Sequence, residues 1–490
     1  MATTQPQHRL GRLHKDAITV IGAVVLSMAF MGPATSVFFN TQPAAVGAGY
    51  ALPLALLLAL IVCVLVASAI GAFAQKIPTA GFAYTFNTHG FGKRGGFMSG
   101  WILAFAYAMV GPMLLSAIGE LTSQFLQTQW KLNVPWWIFT IAFALILWGI
   151  GMLGISRSAT TALVFLVLEV GVMLALFATI FAKGGAQGVT FAPFNPANSF
   201  GGLSGLGIGL LWGILYFVGF ESAGTLGEET RNARRSIPVA LFTAVGVIGV
   251  YYVLSGWAAA IGFGQSHVNA FVSDGSPWIT LTQTYWGPGL VWLVSLTALN
   301  SIFANLISGI NATVRVLFSM GREGIIFRGL GQTSVRGNPS LALTAYMIFA
   351  LAFALIGSAL WTPLGAYGFF GTILGLGIVI IYILINLALI VFYRRDYPAE
   401  FSIVRHGILP VVASLLMLLP IYGLLWPVPA YPNNLVPYIM LAWIVLGIVY
   451  LYLMVRRRPE ILDAMGRVMV EEPPVRGVQE DTVTDSAVAE

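Results

Sequence analysis

Two acidic residues lie deep inside long apolar stretches of the 490-residue sequence. Glu169 is embedded in VFLVLEVGVM, and Glu221 directly follows Gly219 and Phe220. A charged side chain at the centre of a membrane helix costs about 2.5–3.5 kcal/mol on insertion scales, so an acid in such a place is expected to be functional or closely paired. A buried carboxyl group can exchange a proton when water reaches it, or attract a cationic group.

The same apolar stretches contain helix-breaking residues. Gly32 and Pro33 interrupt the first stretch near its middle, and three small residues follow them, namely Ala34, Thr35 and Ser36. Proline removes a backbone donor and clashes with the preceding turn, so the helix should kink or open there. Open backbone in hydrocarbon is tolerated only against protein or a wet cavity. For this break taken alone, a proline kink in a packed helix is an equally good interpretation.

Membrane-spanning helices are the elements that must position these residues. Only 9% of the residues are charged and 58% are hydrophobic, whereas soluble proteins carry about 25% charged residues. Uncharged runs, such as the one between Asp16 and Lys76, can each hold one or two helices of about 20 residues. The sequence therefore predicts an all-α membrane protein with about twelve transmembrane helices, at 17–41, 50–75, 97–120, 136–156, 159–182, 203–228, 236–262, 287–318, 341–360, 365–393, 407–427 and 434–455.

The two interrupted segments suggest how the chain is divided. Breaks in the first and sixth predicted helices are five helices apart, so a repeat of five would be inverted in the membrane, as in many transporters. We expect a leader at 1–16, a first five-helix repeat at 17–182 and a second, inverted repeat at 203–393. Two additional helices follow at 407–455, and the polar tail at 459–490 is predicted to be disordered. Half-helix N-termini at the breaks would direct N–H groups at an anion.

The distribution of basic residues predicts the orientation. If the N-terminus is inside and the helices alternate, 22 of the 24 Lys and Arg residues fall on the inner side. The two exceptions are Lys131 and Lys183. This bias predicts cytoplasmic N- and C-termini. It also explains the net charge of +6 by contact with anionic lipid headgroups rather than with nucleic acid.

Several classes of site are not expected. The sequence has no phosphate-binding loop and no zinc-protease motif, and none of its five histidines lies well inside a predicted helix. Cys63 is the single cysteine, so no disulfide framework is predicted. The glycine-rich string GTILGLG at 371–377 is explained better by tight helix packing than by dinucleotide binding. We therefore predict no catalytic residues, no metal site, no cofactor and no enzymatic activity.

Three motifs in order along the chain resemble those of the amino acid–polyamine–organocation permeases. Segment 217–238, FVGFESAGTLGEETRNARRSIP, is similar to the family's sixth helix and the loop after it, with Ala233 in place of the usual proline. Segment 76–85, KIPTAGFAYT, resembles the element after the second helix. Segment 311–324, NATVRVLFSMGREG, resembles the signature that closes the eighth helix.

This resemblance implies a five-plus-five inverted repeat of the leucine-transporter type, with two extra helices. It also implies secondary active transport of amino acids across the cell membrane, with the substrate held at the breaks of helices 1 and 6. The implied substrate site comprises Gly32, Pro33, Ala34, Thr35, Ser36, Tyr216, Phe217, Gly219, Phe220, Glu221 and Ser222. One departure lies in helix 1, where the family's two glycines are replaced by the Cβ-bearing residues Ala34 and Ser36.

The two buried acids allow different roles. Glu221 could contact a substrate ammonium or make a gating hydrogen bond, or it could cap the second half of helix 6. In some proton-coupled relatives a lysine occupies roughly the position of Glu169. We predict that Glu169 couples proton movement to transport, with a protonated packing residue as the alternative and sodium as the alternative coupling ion.

The sequence is compatible with more than one substrate class and with more than one direction of transport. An organic-amine or polyamine permease or exchanger is an alternative to an amino acid carrier, and a channel or a non-transporting sensor on the same fold is a more distant one. The sequence does not distinguish import from exchange, and it does not specify the oligomeric state.

Overall fold

The computed structural model describes residues 18–457, apart from 78–81, 154–158, 226–229, 323 and 335–337. The predicted leader and tail lie outside the described residues, as do parts of all three sequence motifs. Beyond two isolated bridges, Ile18–Thr230 and Gly49–Ser199, the described residues form no strand. The prediction of an all-α fold is confirmed. A helix suits lipid because it pairs its own backbone polar groups within one segment.

The described residues form eighteen α-helices. The first seven are α1 Val20–Phe30, α2 Pro33–Ala48, α3 Leu52–Lys76, α4 Phe82–Ala108, α5 Val110–Trp130, α6 Trp136–Leu153 and α7 Ala159–Ala182. The next eight are α8 Gly202–Phe217, α9 Ser222–Thr225, α10 Ala233–Phe263, α11 Val268–Ser273, α12 Pro277–Tyr285, α13 Val291–Arg322, α14 Ser340–Trp361 and α15 Pro363–Asp396. The last three are α16 Leu409–Leu416, α17 Leu418–Leu425 and α18 Val436–Arg457, and a π-helical stretch, Ile403–Ile408, precedes α16.

Eleven segments of the described chain are long and apolar enough to cross a bilayer. Together with the shorter apolar helix α8, they coincide with the twelve predicted segments. We number these spans 1 to 12: α1 with α2, α3, α4 with α5, α6, α7, α8 with α9, α10, α13, α14, α15, α16 with α17, and α18.

Spans 1 and 6 are both interrupted, and the second half of span 1 packs against the first half of span 6. Helix α2 crosses α8, and the two backbones meet at Gly47 and Gly205. A Cβ atom added to either glycine would collide with the carbonyl oxygen of the other. Small residues allow such close helix crossings in membranes. This crossing holds the two breaks side by side.

Span 3 begins earlier than predicted. Helix α4 starts at Phe82 rather than at residue 97 and turns sharply at Gly92, which has a φ of 79°. The part before this turn folds back along the part after it, and the Nδ2 atom of Asn87 donates a hydrogen bond of 2.8 Å to Ser99 Oγ. The polar residues Asn87 and His89 are accommodated in this segment by local hydrogen bonding.

Span 12 is held to span 3 by an aromatic ladder, which comprises Phe97, Trp101, Phe105, Trp443 and Tyr450. Each of the two tryptophan indole N–H groups donates a hydrogen bond of 3.0 Å to the other's backbone carbonyl. Their rings stack with centroids 4.6 Å apart. Indole N–H groups need a partner when they are buried, and this reciprocal pair satisfies both.

Helix packing accounts for the glycine string at 371–377. A Cβ atom on Gly371 would lie 2.6 Å from the ring of Trp212, one on Gly375 would lie 2.9 Å from Leu215, and one on Gly377 would lie 2.6 Å from Ala106. The glycines therefore let α15 approach spans 6 and 3 closely. In these contacts the packing interpretation is confirmed.

Candidate functional site

The first break lies at Met31 and Gly32, where α1 ends and α2 begins. Gly32 adopts a left-handed conformation with φ 55° and ψ 65°, and Pro33 starts α2. Glycine tolerates this conformation at no steric cost, and proline suits the first position of a helix because its missing N–H would lack an intrahelical partner there. The Met31 carbonyl accepts hydrogen bonds from Ser36 Oγ at 2.8 Å and from Tyr252 Oη at 3.3 Å.

The first turn of α2 presents polar groups to its surroundings. The backbone N–H of Thr35 donates a hydrogen bond of 3.0 Å to Ser301 Oγ of span 8. The Thr35 hydroxyl is buried and has no hydrogen-bond partner within the described structure. The N-terminal turn of a helix carries partial positive charge and unpaired donors. This turn is therefore suited to bind an anionic group.

The second break separates α8 from α9 across residues 218–221. Gly219 has a φ of 115°, a region that only glycine occupies without strain. A Cβ atom on Gly219 would lie 2.8 Å from the carbonyl carbon of Phe30 and 3.0 Å from the nitrogen of Met31. The two breaks therefore touch each other through backbone atoms.

Glu221 occupies this second break and is fully buried, with 0% of its surface exposed. Its Oε1 atom accepts a hydrogen bond of 2.8 Å from Tyr107 Oη of span 3. Its Oε2 atom accepts one of 3.1 Å from Tyr382 Oη of span 10 and one of 2.9 Å from the backbone N–H of Gly219. Three donors compensate for the burial of the acid. They also join spans 3, 6 and 10 at one point.

A second network joins helix α2 of span 1 to helix α8 of span 6. Ser36 Oγ donates a hydrogen bond of 3.3 Å to the carbonyl of Tyr216, and the Tyr216 and Thr41 hydroxyls share one of 2.7 Å. The indole of Trp278 donates to the Val37 carbonyl at 2.8 Å. Because these groups are buried, the network fixes α2 against α8.

A cavity lies beside the two breaks, with about 490 Å³ free of atoms, including the open solvent at its mouth. Residues from spans 1, 3, 6, 8 and 10 line it. Its polar lining comprises Thr35, Ser36, Asn40, Tyr107, Asn305 and Tyr367. The remaining lining residues are Phe30, Met31, Val110, Met113, Leu114, Leu215, Val218, Gly309 and Leu374.

The residues predicted from the sequence gather at this place, but only two of them line the cavity. Thr35 and Ser36 are in its wall, and Gly32, Pro33 and Ala34 form the turn leading to them. The six from span 6 are not among the lining residues: Tyr216, Phe217, Gly219, Phe220, Glu221 and Ser222. Ser222 Oγ is 3.5 Å from Ser27 Oγ of α1. Span 6 reaches the cavity instead through Leu215 and Val218.

Four polar lining residues were not predicted, namely Asn40, Tyr107, Asn305 and Tyr367. Tyr367 donates a short hydrogen bond to Asn40 Oδ1. Asn305 packs against Gly32, where an added Cβ atom would collide with its amide. An asparagine inside an apolar stretch is visible in a sequence, and it could have indicated Asn40 and Asn305. No such signal marks the two tyrosines.

Glu169 lies away from the cavity lining, on α7 of span 5, with 4% of its surface exposed. Asn300 of span 8 donates a hydrogen bond of 3.4 Å to Glu169 Oε2. Among the described residues, no group of three or more His, Cys, Asp and Glu could hold a metal ion.

Comparison with known proteins identifies the family. The sequence pattern of the family described as "Amino acid permease" matches residues 22–460. The chain belongs to this family. The permease is 23% identical over 467 residues to the branched-chain amino acid permease BcaP of Bacillus subtilis, covering 90% of this chain and 94% of the relative.

Two further relatives have a similar degree of sequence identity. The branched-chain amino acid permease BcaP of Lactococcus lactis is 25% identical, with 84% of this chain and 92% of the relative covered. The lysine-specific permease LysP of the same species is 27% identical, with 74% and 72% covered. The permease is thus a multi-pass membrane protein of a transporter family, and relatives of this kind support a small-molecule substrate.

Proposed function

We propose that the permease is a secondary active carrier of amino acids, with its substrate bound in the cavity beside the breaks of spans 1 and 6. The observation that carries this proposal is the first turn of α2, which places a buried, unpartnered Thr35 hydroxyl in the wall of that cavity. A substrate carboxylate there would meet a helix N-terminus and a hydroxyl donor. The relatives named for branched-chain amino acids and for lysine support an amino acid as the substrate.

The five-plus-five inverted repeat is part of the proposal, and paired contacts support it. Helix α1 packs on α7 as α8 packs on α15, and α5 packs on α15 as α13 packs on α7. When spans 1–5 are matched with spans 6–10, the contact of span 1 with span 5 corresponds to that of span 6 with span 10. The contact of span 3 with span 10 likewise corresponds to that of span 8 with span 5. Such a repeat supplies two interchangeable arrangements of the same parts, which is the basis of alternating access.

Coupling to a proton through Glu169 is a further part of the proposal. A carboxyl group in this apolar position should be neutral unless water or a cation reaches it. If water reaches Glu169 when the carrier opens to the inside and is excluded when the carrier closes, protonation of Glu169 would favour one of these two conformations over the other. Sodium is the alternative coupling ion.

Reconstitution into sealed liposomes tests the carrier proposal. We expect labelled leucine to accumulate above the external concentration when a pH gradient, inside alkaline, is imposed, and to exchange with unlabelled leucine without a gradient. Equilibration that never exceeds the external concentration, at a rate that does not saturate, would instead indicate a channel. A thermal shift with an amino acid but no flux would indicate a sensor.

A further inference from the structure

We propose that the cavity selects amino acids with uncharged, apolar side chains and excludes cationic ones such as lysine, arginine and putrescine-like diamines. This inference rests on the proposed function, because it assigns the cavity to the substrate. It concerns the apolar part of the cavity lining.

The wall that span 3 contributes beyond Tyr107 is apolar. Val110, Met113 and Leu114 all line the cavity from α5, and their spacing of three and four residues places them on one face of that helix. Leu374 of α15 and Leu215 of α8 add to the apolar lining from the neighbouring spans. An aliphatic or aromatic side chain gains contact with such a wall without leaving polar groups unpaired.

No carboxylate is available to a second ammonium group in the described site. None of the fifteen lining residues is charged, and none of the six Asp and Glu residues in the described chain lines the cavity. Glu221 is hydrogen-bonded to the lining residue Tyr107, but its two carboxylate oxygens already accept three hydrogen bonds. A second, side-chain ammonium group would lose its hydration at this lining without gaining a charged partner, whereas the α-ammonium group of an amino acid is accompanied by the carboxylate of the same molecule.

The tyrosines of the lining do not replace the missing charge. Tyr107 donates its hydroxyl proton to Glu221, and Tyr367 donates its own to Asn40. Both hydroxyl protons are therefore already engaged by protein groups, one outside the lining and one within it. Asn305 is a neutral amide, suited to a carboxylate or a backbone group but not to charge neutralisation.

A competition panel in liposomes tests the inference on the unaltered protein. We expect labelled leucine uptake to fall at least tenfold with excess isoleucine, valine, methionine or phenylalanine, and to change less than twofold with equal amounts of lysine, arginine or putrescine. Uptake of labelled lysine that leucine competes away would overturn the inference and leave the amino acid carrier intact. Failure of leucine, lysine and putrescine alike to be bound or transported would overturn the proposed function itself.

A substitution in the apolar wall tests which residues face the side chain. Met113→Glu places a carboxylate there, and Met113→Gln is its uncharged match. We expect lysine to inhibit labelled leucine uptake, or to be taken up itself, at least tenfold better in the glutamate variant than in the glutamine variant. A folded Met113→Glu protein that prefers leucine as strongly as Met113→Gln does would refute the assignment of this wall to the side chain. If neither variant folds, the competition panel decides alone.

Discussion

Glu221 and Glu169 are buried acids in similar apolar surroundings, but their partners differ. Glu221 accepts two tyrosine hydroxyls and a backbone N–H, and so ties three spans together. Glu169 has the Asn300 amide within hydrogen-bonding distance, and its bond of 3.4 Å is long. Among the acids described, the geometry of Glu221 favours a fixed structural or gating role. That of Glu169 is compatible with a group that changes its protonation.

Replacing Glu169 by Gln tests its role in coupling. Glutamine keeps the shape and hydrogen-bonding capacity but cannot release a proton. We expect leucine exchange within about twofold of the unaltered protein, whereas accumulation driven by a pH gradient falls about tenfold. A tenfold bias between two states corresponds to about 1.4 kcal/mol, the contribution of the lost proton. The measurement is uptake in liposomes with and without the gradient.

Glu120→Gln is the matched control for this experiment. Glu120 lies on α5 and accepts a hydrogen bond from Gln124 in its own helix, so its neutralisation should leave accumulation intact. If Glu169→Gln accumulates leucine with an unchanged pH profile, coupling belongs to another group or to sodium.

The sequence could indicate single acids but not their partners. Glu169 and Glu221 were recognisable because charge in an apolar segment is costly. The hydroxyl donors to Glu221 belong to residues 107 and 382, more than 100 positions away on either side. Tyrosine is common in membrane helices, so nothing local distinguishes Tyr107 and Tyr382 from packing residues.

At the level of elements, the break in span 6 depends on Gly219. Gly219→Ala adds a Cβ atom 2.8 Å from the Phe30 carbonyl carbon, at a φ of 115° that alanine rarely adopts. We expect strain of about 1–3 kcal/mol, separation of the two breaks and a loss of leucine transport of at least tenfold. The measurements are liposome uptake and the amount of monodisperse protein after purification.

Gly246→Ala is the control in the same experiment. Gly246 lies on α10, and an added Cβ atom there meets no heavy atom within 4 Å. Its transport should be unchanged. Full transport by Gly219→Ala would show that the contact between the breaks is dispensable.

The aromatic ladder predicts a different outcome, in which stability changes without selectivity. Trp443→Ala removes the stacked ring and leaves the Trp101 carbonyl without its indole donor. Interhelical hydrogen bonds in membranes contribute about 0.6 kcal/mol on average, and the lost ring packing adds to this. We expect a melting temperature in detergent several degrees lower, with normal substrate preference in the protein that remains folded.

Trp137→Ala provides the comparison, because Trp137 lies on α6 and is exposed. Its melting temperature should stay within about one degree of that of the unaltered protein. Equal effects of the two substitutions would mean that the ladder does not hold span 12 in place.

The breaks themselves were predictable, and their neighbours were not. Gly32, Pro33 and Gly219 restrict the backbone locally, so their effect can be inferred from the sequence. Helix α2 runs through the polar Gln42 and through Pro43 and continues to Ala48, beyond the predicted end at residue 41. Gln42 reaches the carbonyl of Val272 at 3.2 Å, a tertiary contact that overrides the local signal.

For the whole molecule, the prediction concerns orientation. The bias of basic residues predicts that reporters fused after Ala186 and Pro432 lie outside the cell and that one after Asn232 lies inside. Paired reporters, one active only in the cytoplasm and one only outside, measure this. The reverse assignment at all three positions would reject the proposed orientation.

Most of the architecture followed from hydrophobic length, because each apolar run of sufficient length coincides with a helical segment. What did not follow was the pairing of helices. The contact between α2 and α8 depends on the close approach of Gly47 and Gly205. The sequence of either segment alone does not indicate that the other is its packing partner. The cavity was foreseen as a place between two breaks, whereas its walls from spans 3, 8 and 10 arise only when all helices are assembled.

Tyr107 has one side chain in two environments. Tyr107 is part of the cavity lining, and its hydroxyl donates a hydrogen bond to Glu221, which is not a lining residue. A molecule bound against Tyr107 would therefore contact the same side chain that donates a hydrogen bond to Glu221. A substrate bound in this cavity would therefore be linked to Glu221 through a single side chain.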